Sequence, residues 1–322
     1  MRLERSLLGA PLALALVLVC AAALAQSYPN RPIKLVVGYQ PGGGTDVLAR
    51  IVAPKLGERL GQPVTIENRP GANATIGVAY AARAEADGYT LLVGASGEMV
   101  YAFGLYERLP YDTLRDFAPV IQLSTNPLVF AAHPSLPANT IAELIALARS
   151  KPGKLFYGSG AAPFQAAGEL FKKQAGVDIV NIPYKGAAPS VTAAVAGEVP
   201  LLVVGVSALP MLRSGKLRAL AVSTPKRFPL LPEVPTMIES GLAGFEVVPW
   251  TGMFVPAGTP RSILDKLHGE MAAIAKLEDV RDRFAALGVS AESLPLGEFT
   301  ALLKSDLAKW PKLLREFNIR AD

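Results

Sequence analysis

The sequence predicts an α/β protein of two lobes, each a mainly parallel sheet flanked by helices. Three observations point there. Short runs of Val, Leu and Ile alternate with segments whose apolar residues recur every three or four positions, the pattern of strands buried on both faces and separated by covering helices. The alternation runs in two series, parted at Asn126-Pro127. The 322 residues, 51% of them hydrophobic, suffice for two cores.

The first residues stand apart from that pattern. Arg2 and Arg5 precede an apolar run over 12–24 that closes on Ala23-Leu24-Ala25. This reads as a secretory signal peptide cleaved after about Ala25, its run falling short of the ~20 residues that span a bilayer. Cys20 is the one cysteine and leaves with the signal, which excludes disulfides, thiolate nucleophiles and cysteine metal sites from the exported chain. His133 and His268, the only histidines, lie far apart and read as structural, so no metal and no cofactor is expected. The formal charge of +5 is spread along the chain without a Lys/Arg cluster, which speaks against nucleic acid as a partner. A monomer in the periplasm is expected.

In the first series, strands are predicted over 33–39, 64–68 and 90–94, with helices over 45–60 and 75–84. In the second, strands fall at 128–133, 155–157, 179–182, 199–204 and 217–222. The helices between them cover 140–149, with Asn139 as N-cap, 164–175 and 188–196. The stretch TPKRFPLLPEVPTMIESGLAGFE follows, whose prolines exclude a long helix or central strand. Residues 247–255 read as extended, and 262–275, 280–287 and 296–317 as helices. A helical tail without strands needs a sheet to pack on, and the first is the simplest. The first domain is therefore expected to be discontinuous, 26–124 with 246–322, and the second, 125–245, inserted in it. Two crossings between them would make a hinge.

The segment LVVGYQPGGGTDVLAR raises the question of function. Gly42, Gly43 and Gly44 strip the side chains from the turn between a strand and a helix, baring N–H groups at the positive end of the helix dipole. Thr45 is placed to cap the helix, and Asp46 favours its first turn. Such a turn suits an anion. It has neither the lysine of a P-loop nor the third glycine of a dinucleotide fingerprint, where Val47 stands. A carboxylate therefore matches better than a phosphate. Similar turns follow at Ser96-Gly97, Ser159-Gly160 and Lys185-Gly186. In open parallel sheets ligands gather beyond the carboxyl ends of the strands, so four such turns from two lobes read as opposed jaws. The competing class is an exported hydrolase. Against it, neither Gly94-Ala95-Ser96-Gly97-Glu98 nor Gly205-Val206-Ser207-Ala208-Leu209 has the G-x-S-x-G register of a nucleophile elbow. Glu98 and Glu169 form a carboxylate pair only if the fold brings them together. No catalytic residue is expected.

The segments YPNRPIKLVVGYQPGGGTDVLARIVAPKLGERLGQPVTIENRPGANATIG, DGYTLLVGASG, LPYDTLRDFAPV, AELIALARSKPGKLFYGS, AGELFKKQAGVDIVNIPYKGAAPSV and GKLRALAVSTPKRFPLLPEVPT together resemble the Bug-type solute receptors of the tripartite tricarboxylate transporter family, in order and over essentially the whole exported chain. The resemblance implies a type II periplasmic-binding-protein fold that closes on its ligand like a flytrap. It implies a small carboxylate as ligand (a di- or tricarboxylate, an amino acid or an aromatic acid), and membrane permease subunits or a sensor histidine kinase as partner. Carried over position by position, it places Tyr39, Gly43, Gly44, Thr45, Asp46 and Ser96 at the ligand from the first lobe, and Ser159, Gly160, Gln165, Lys185, Gly186, Ala187 and Ser207 from the second. Tyr39 replaces the family's usual Phe, and Gln165 stands where a His is frequent. The chain is shorter than common members between Tyr157 and Glu169, and the strand after Val199 lacks an Asp that members commonly carry. Those departures point to a neutral or aromatic distal end of the ligand, with Tyr39 and Phe164 as candidates to line it.

Overall fold

Runs of β-branched and leucine side chains form the strands. The structure, a computed structural model, describes residues 28–320, so the signal-peptide segment lies outside the described residues. The strands are β1 (Ile33–Val37), β2 (Val64–Asn68), β3 (Thr90–Ala95), β4 (Phe117–Thr125), β5 (Leu128–Ala132), β6 (Leu155–Ser159), β7 (Ile179–Pro183), β8 (Leu201–Gly205), β9 (Arg218–Val222), β10 (Trp250–Pro256) and β11 (Ser290–Ala291). They form two sheets, one per lobe, ordered β11-β4-β10-β3-β1-β2 and β7-β6-β8-β5-β9. Each sheet holds a parallel trio, β3-β1-β2 in the first lobe and β7-β6-β8 in the second. The strands beside each trio run antiparallel: β10, β4 and β11 in the first lobe, β5 and β9 in the second.

Helices α1 (Gly44–Leu60) and α2 (Thr75–Ala82) connect the first trio. A π-helical turn, Gly97–Tyr101, runs into α3 (Ala102–Leu105), followed by α4 (Thr113–Asp116). The second lobe carries α5 (Ile141–Ser150), α6 (Ala162–Ala175), α7 (Ala187–Val195) and α8 (Leu209–Arg213), the last after a 3₁₀ turn at Val206–Ala208. The tail is α9 (Arg261–Ile274), α10 (Glu278–Ala286) and α11 (Leu296–Glu316). It packs on the first sheet as its apolar spacing requires: α9 lies against α1 and β4, and α11 against β4 and α3. Trp250, Phe254 and Phe299 interlock there, with ring centroids 5.2 Å apart for Trp250–Phe299 and 5.6 Å for Phe254–Phe299. Gly252 makes room for them, since a Cβ at 252 would stand 2.4 Å from the Phe299 ring. Among the described residues no helix is long and apolar enough to cross a membrane.

Two local expectations shift. The cap of α5 is Thr140, whose Oγ1 accepts from Glu143 N at 3.1 Å, while the Glu143 carboxylate accepts from Asn139 N at 2.6 Å. The cap thus lies one residue later than Asn139 alone suggested, and the Glu143 side chain reaches back past it to the preceding N–H. Strand β4 does not show in the apolar alternation because Pro119 interrupts it. Pro119 is accommodated opposite Phe254, next to a register shift in the β4–β10 ladder, where the lack of an N–H does least harm.

The chain passes between sheets twice. It leaves at Thr125, through Asn126-Pro127 to Leu128, and returns through the proline-rich segment that ends at Trp250. The two passages are tied to each other, Asn126 N donating to Pro249 O at 2.7 Å. Ser223 clasps both. Its Oγ accepts from Leu128 N at 3.0 Å and donates to Val247 O at 2.6 Å, and its backbone bonds Leu128 O and Val247 N. Ser223 is fully buried, so Ser223→Ala leaves a buried donor, Leu128 N–H, and a buried acceptor, Val247 O, without their side-chain partner. Chemical denaturation should show a loss of about 1–3 kcal/mol; an unchanged midpoint would mean that the clasp contributes nothing to stability.

Candidate ligand-binding cleft

Topology gathers the glycine turns at two edges. Because β1 and β3 are parallel neighbours, the turns after them, Gly42–Thr45 and Ser96–Gly97, share the carboxyl edge of the first sheet. The turns after β6, β7 and β8, bearing Ser159–Gly160, Lys185–Gly186 and Ser207, share that of the second. The chain passages leave from these same edges, for Thr251 pairs with Ala95 and Leu128 with Gly205.

In the first lobe the N-cap of α1 is Gly43, without a side-chain cap, so Thr45 does not cap the helix as expected. The loop is pinned from inside the helix instead. Asp46, fully buried, accepts from Gly42 N at 2.8 Å, Arg50 Nε at 2.7 Å and Asn68 Nδ2 at 2.8 Å. Burial alone would raise its pKa, but these bonds outweigh it and hold the carboxyl below its ordinary value. The Asp46 carboxylate is thus committed to the protein. What the turn presents is backbone: the N–H groups of Gly44, Thr45 and Asp46 precede the first helical bond, Val47 N to Gly43 O at 2.9 Å.

The neighbouring turn is organised by Glu98, which sequence reasoning weighed only as half of a carboxylate pair. It is 1% exposed. Its carboxylate accepts from Tyr39 Oη at 2.6 Å and Ala95 N at 2.6 Å, and its carbonyl accepts from Tyr111 Oη at 2.7 Å. Burial pushes its pKa up to about 7 against the opposing pull of those bonds. The Tyr39 hydroxyl is therefore consumed by Glu98. A lone charge inside the apolar run LLVGASGEMVYA was the available signal. Glu169 does not join it, since its carboxylate takes Tyr157 Oη at 2.8 Å and Lys172 Nζ at 2.9 Å. Ser96 is also turned inward, 2% exposed, its Oγ accepting from Trp250 N at 3.3 Å.

In the second lobe the two principal turns touch. A Cβ on Gly160 would stand 2.2 Å from Gly186 O and 2.7 Å from Ala187 N, so no other residue fits at 160. Gly186 has φ 111°, and its own N–H bonds Tyr184 O at 2.9 Å. Ser159 is buried, its Oγ accepting from Asn181 Nδ2 at 2.8 Å. The N–H groups of Ala187 and Ala188 open α7, and that of Ala162 opens α6, where Pro163 has none to offer. Lys185 and Ser207 are exposed, and Gln165 is half-buried. Among the described residues the side chains of these three have no hydrogen-bond or ion-pair partner. Phe164 packs towards Gly205, its ring 3.6 Å from where a Cβ there would sit.

The lobes meet around these edges. Helix α6 brings its Cα atoms within 8 Å of the π-helical turn 97–101, and Gly288 of the first lobe lies against Val206, next to Ser207, leaving 2.7 Å for a Cβ. Lys173 of α6 pairs with Glu316 of α11 at 2.5 Å. Of the thirteen residues expected at the ligand, Asp46, Ser96, Ser159 and Tyr39 direct their polar groups into the protein. Gly43, Gly44, Thr45, Gly160, Gly186 and Ala187 form the bare backbone of the two edges, and Gln165, Lys185 and Ser207 keep free side-chain groups.

The family described as tripartite tricarboxylate transporter family receptor matches residues 48–319. The chain belongs to that family. It is similar to the protein BugT of Bordetella pertussis, 35% identical over 302 residues, 92% of this chain and 93% of that protein. The solved structure of R. palustris Rpa4515 with adipate is 35% identical and superposes with a TM-score of 0.78, covering 89% of this receptor and 97% of that chain. MatC from Rhodopseudomonas palustris with bound malate is 32% identical, with a TM-score of 0.74, covering 89% of this receptor and all of that chain. Family members are periplasmic solute receptors rather than enzymes.

The buried Glu98 gives the receptor a pH signature. Its unfolded pKa is near 4.5 and its folded one about 7. Between those values the folded chain holds a proton that the unfolded chain has released, so stability falls as pH rises through the window and levels above it. Measured against Glu98→Gln, the wild type should lose on the order of 3 kcal/mol between pH 4.5 and pH 7.5. Parallel pH profiles of the two proteins in urea would refute the shift.

Proposed function

We propose that this receptor captures a small carboxylate between its lobes for a tripartite tricarboxylate-type transporter. One observation carries the reading: N–H groups at the starts of α1, α6 and α7 that have no partner among the described residues collect at the carboxyl edges of the two sheets, and around those edges α6 comes within 8 Å of the turn 97–101 and Gly288 lies against Val206. Burying a carboxylate costs several kcal/mol unless donors stand ready to replace water, and preset peptide groups supply them. In this reading Gly44 and Thr45 act from the first lobe. From the second act Ala187 and the Gly160–Ala162 turn, with Gln165, Lys185 and Ser207 within the same edge. Asp46, Glu98, Ser96 and Ser159 hold these turns from behind. The division into 26–124 with 246–322 and 125–245 supplies the two jaws, and ligand touching both favours closure. The exported form begins after about Ala25, and the permease subunits of the transporter read the closed state.

Dicarboxylates come first as candidates, because relatives at this level of identity are solved with adipate and malate. A thermal-shift and calorimetric screen of adipate, malate, amino acids and aromatic acids tests the proposal. A true ligand at ~100 times its Kd adds about 2.7 kcal/mol of stability, and its diamide adds none. Gly160→Val, which pushes Gly186 and Ala187 out of place, should abolish the shift. Amides that bind as well as the acids would end the carboxylate reading.

A further inference from the structure

Away from the cleft, a cavity of about 510 Å³ opens at the hinge. It lies where β4 and β10 give way to the passages between lobes, under α11 and beside the proline-rich segment. Thr125 and Trp250 are direct partners across those two antiparallel strands, so their side chains share one face of the sheet. Each brings in a carboxylate: Glu292 Oε1 accepts from Thr125 Oγ1 at 3.1 Å, and Asp306 Oδ2 accepts from Trp250 Nε1 at 2.8 Å. Both acids line the cavity wall. Neither is in an ion pair among the described residues, and burial raises the pKa of both.

A second, independent feature points to an occupant. Gln122, also on β4 and lining the cavity, is 2% exposed, and its side-chain amide has no hydrogen-bond partner among the described residues. Its strand partner is Gly252, the residue under Phe299 of α11, so Gln122 faces the same side as Thr125 and Trp250. The amide is not sealed in the core but gives onto the cavity, where a bound group can pair with it. Of the basic residues on the rim, Arg227 is held by Glu239 at 3.0 Å, and Lys309, whose Nζ donates to Glu246 O at 3.3 Å and lies 4.5 Å from the centre of the Trp310 ring, also pulls the Asp306 carboxyl down against the larger effect of burial. Lys226 is exposed. Among the described residues no group of three acids, histidines or cysteines is placed to hold a metal ion.

We propose that the hinge cavity is a second ligand site, for a primary ammonium on a short alkyl chain. Its three N–H donors match the carboxylates of Glu292 and Asp306 and the Gln122 Oε1, and its chain lies along Leu302 and Trp310. This site is separate from the carboxylate cleft and does not depend on what the cleft binds.

Of the chain's two tryptophans, Trp310 lines the cavity and Trp250 donates to Asp306 on its wall, so their fluorescence reports on it. The exported receptor is titrated with n-butylammonium chloride, with 1-butanol as the neutral isostere, and the affinity is repeated by calorimetry. A saturable change with the amine and none with the alcohol is expected. Glu292→Gln and Asp306→Asn keep the acceptors for Thr125 and Trp250 but remove one charge each, and each should weaken the amine about tenfold or more. The proposal is overturned by an unsaturable amine response, by butanol matching the amine, or by folded variants that bind the amine as tightly as wild type. The alcohol comparison, made on the unaltered protein, stands even where a variant fails to fold.

Discussion

A peptide N–H can receive an anion only if nothing else covers it, and this requirement runs through both lobes. The parallel pairing of β1 with β3, and of β6 with β7 and β8, puts strand ends and helix starts at common edges. There helix geometry leaves donors free. Side chains would fill that space. At Gly160 the limit is absolute, because a Cβ would overlap the Gly186 carbonyl at 2.2 Å. The antiparallel strands β10, β4, β5 and β9 carry the chain between lobes while leaving the parallel trios intact.

Bare turns are flexible unless something holds them, and here buried polar side chains do so from behind. Asp46 takes the Gly42 N–H, Glu98 takes the Ala95 N–H and the Tyr39 hydroxyl, Ser96 takes the Trp250 N–H, and Ser159 takes the Asn181 amide. Each of these groups is nearly or fully removed from solvent. The division of labour is consistent: side chains fix the loop, and the backbone faces outward. Donors held in place before a ligand arrives need little reorganisation when it does.

Much of this was legible in the sequence, and the misses have physical reasons. The parallel trios, their helices and the packing of the tail follow from residue periodicity, which depends on burial alone. Strand β4 did not, because Pro119 breaks its pattern while the ladder absorbs the proline at a register shift. The positions of the glycine turns were readable, but not which polar groups face in. Thr45, Asp46, Ser96 and Ser159 look alike in a sequence as residues beside a glycine, and only the fold shows that the last three are buried and bonded. Tyr39 and Glu98 lie 59 positions apart. The tyrosine hydroxyl is explained by a buried carboxylate that needs a donor.

The hinge adds a constraint on how the lobes can move. Each passage is short where it leaves the first sheet, with Asn126-Pro127 on one side and Val247 to Pro249 on the other. The two are bonded through Asn126 N to Pro249 O and clasped by Ser223. Such links permit rotation about the passages but oppose sliding, which favours rigid-body closure. Trp250 stands at the foot of one passage, opposite Thr125 in the ladder, and is bonded in two directions: its N–H to Ser96 in the first-lobe turn and its indole N–H to Asp306 in the hinge cavity. Rotation that displaced Trp250 would strain the Ser96 bond and with it the turn that precedes Glu98. The simplest motion that spares these bonds pivots on the second-lobe side of Trp250, leaving the first-lobe edge fixed while the edge bearing Gly160 and Gly186 swings towards it.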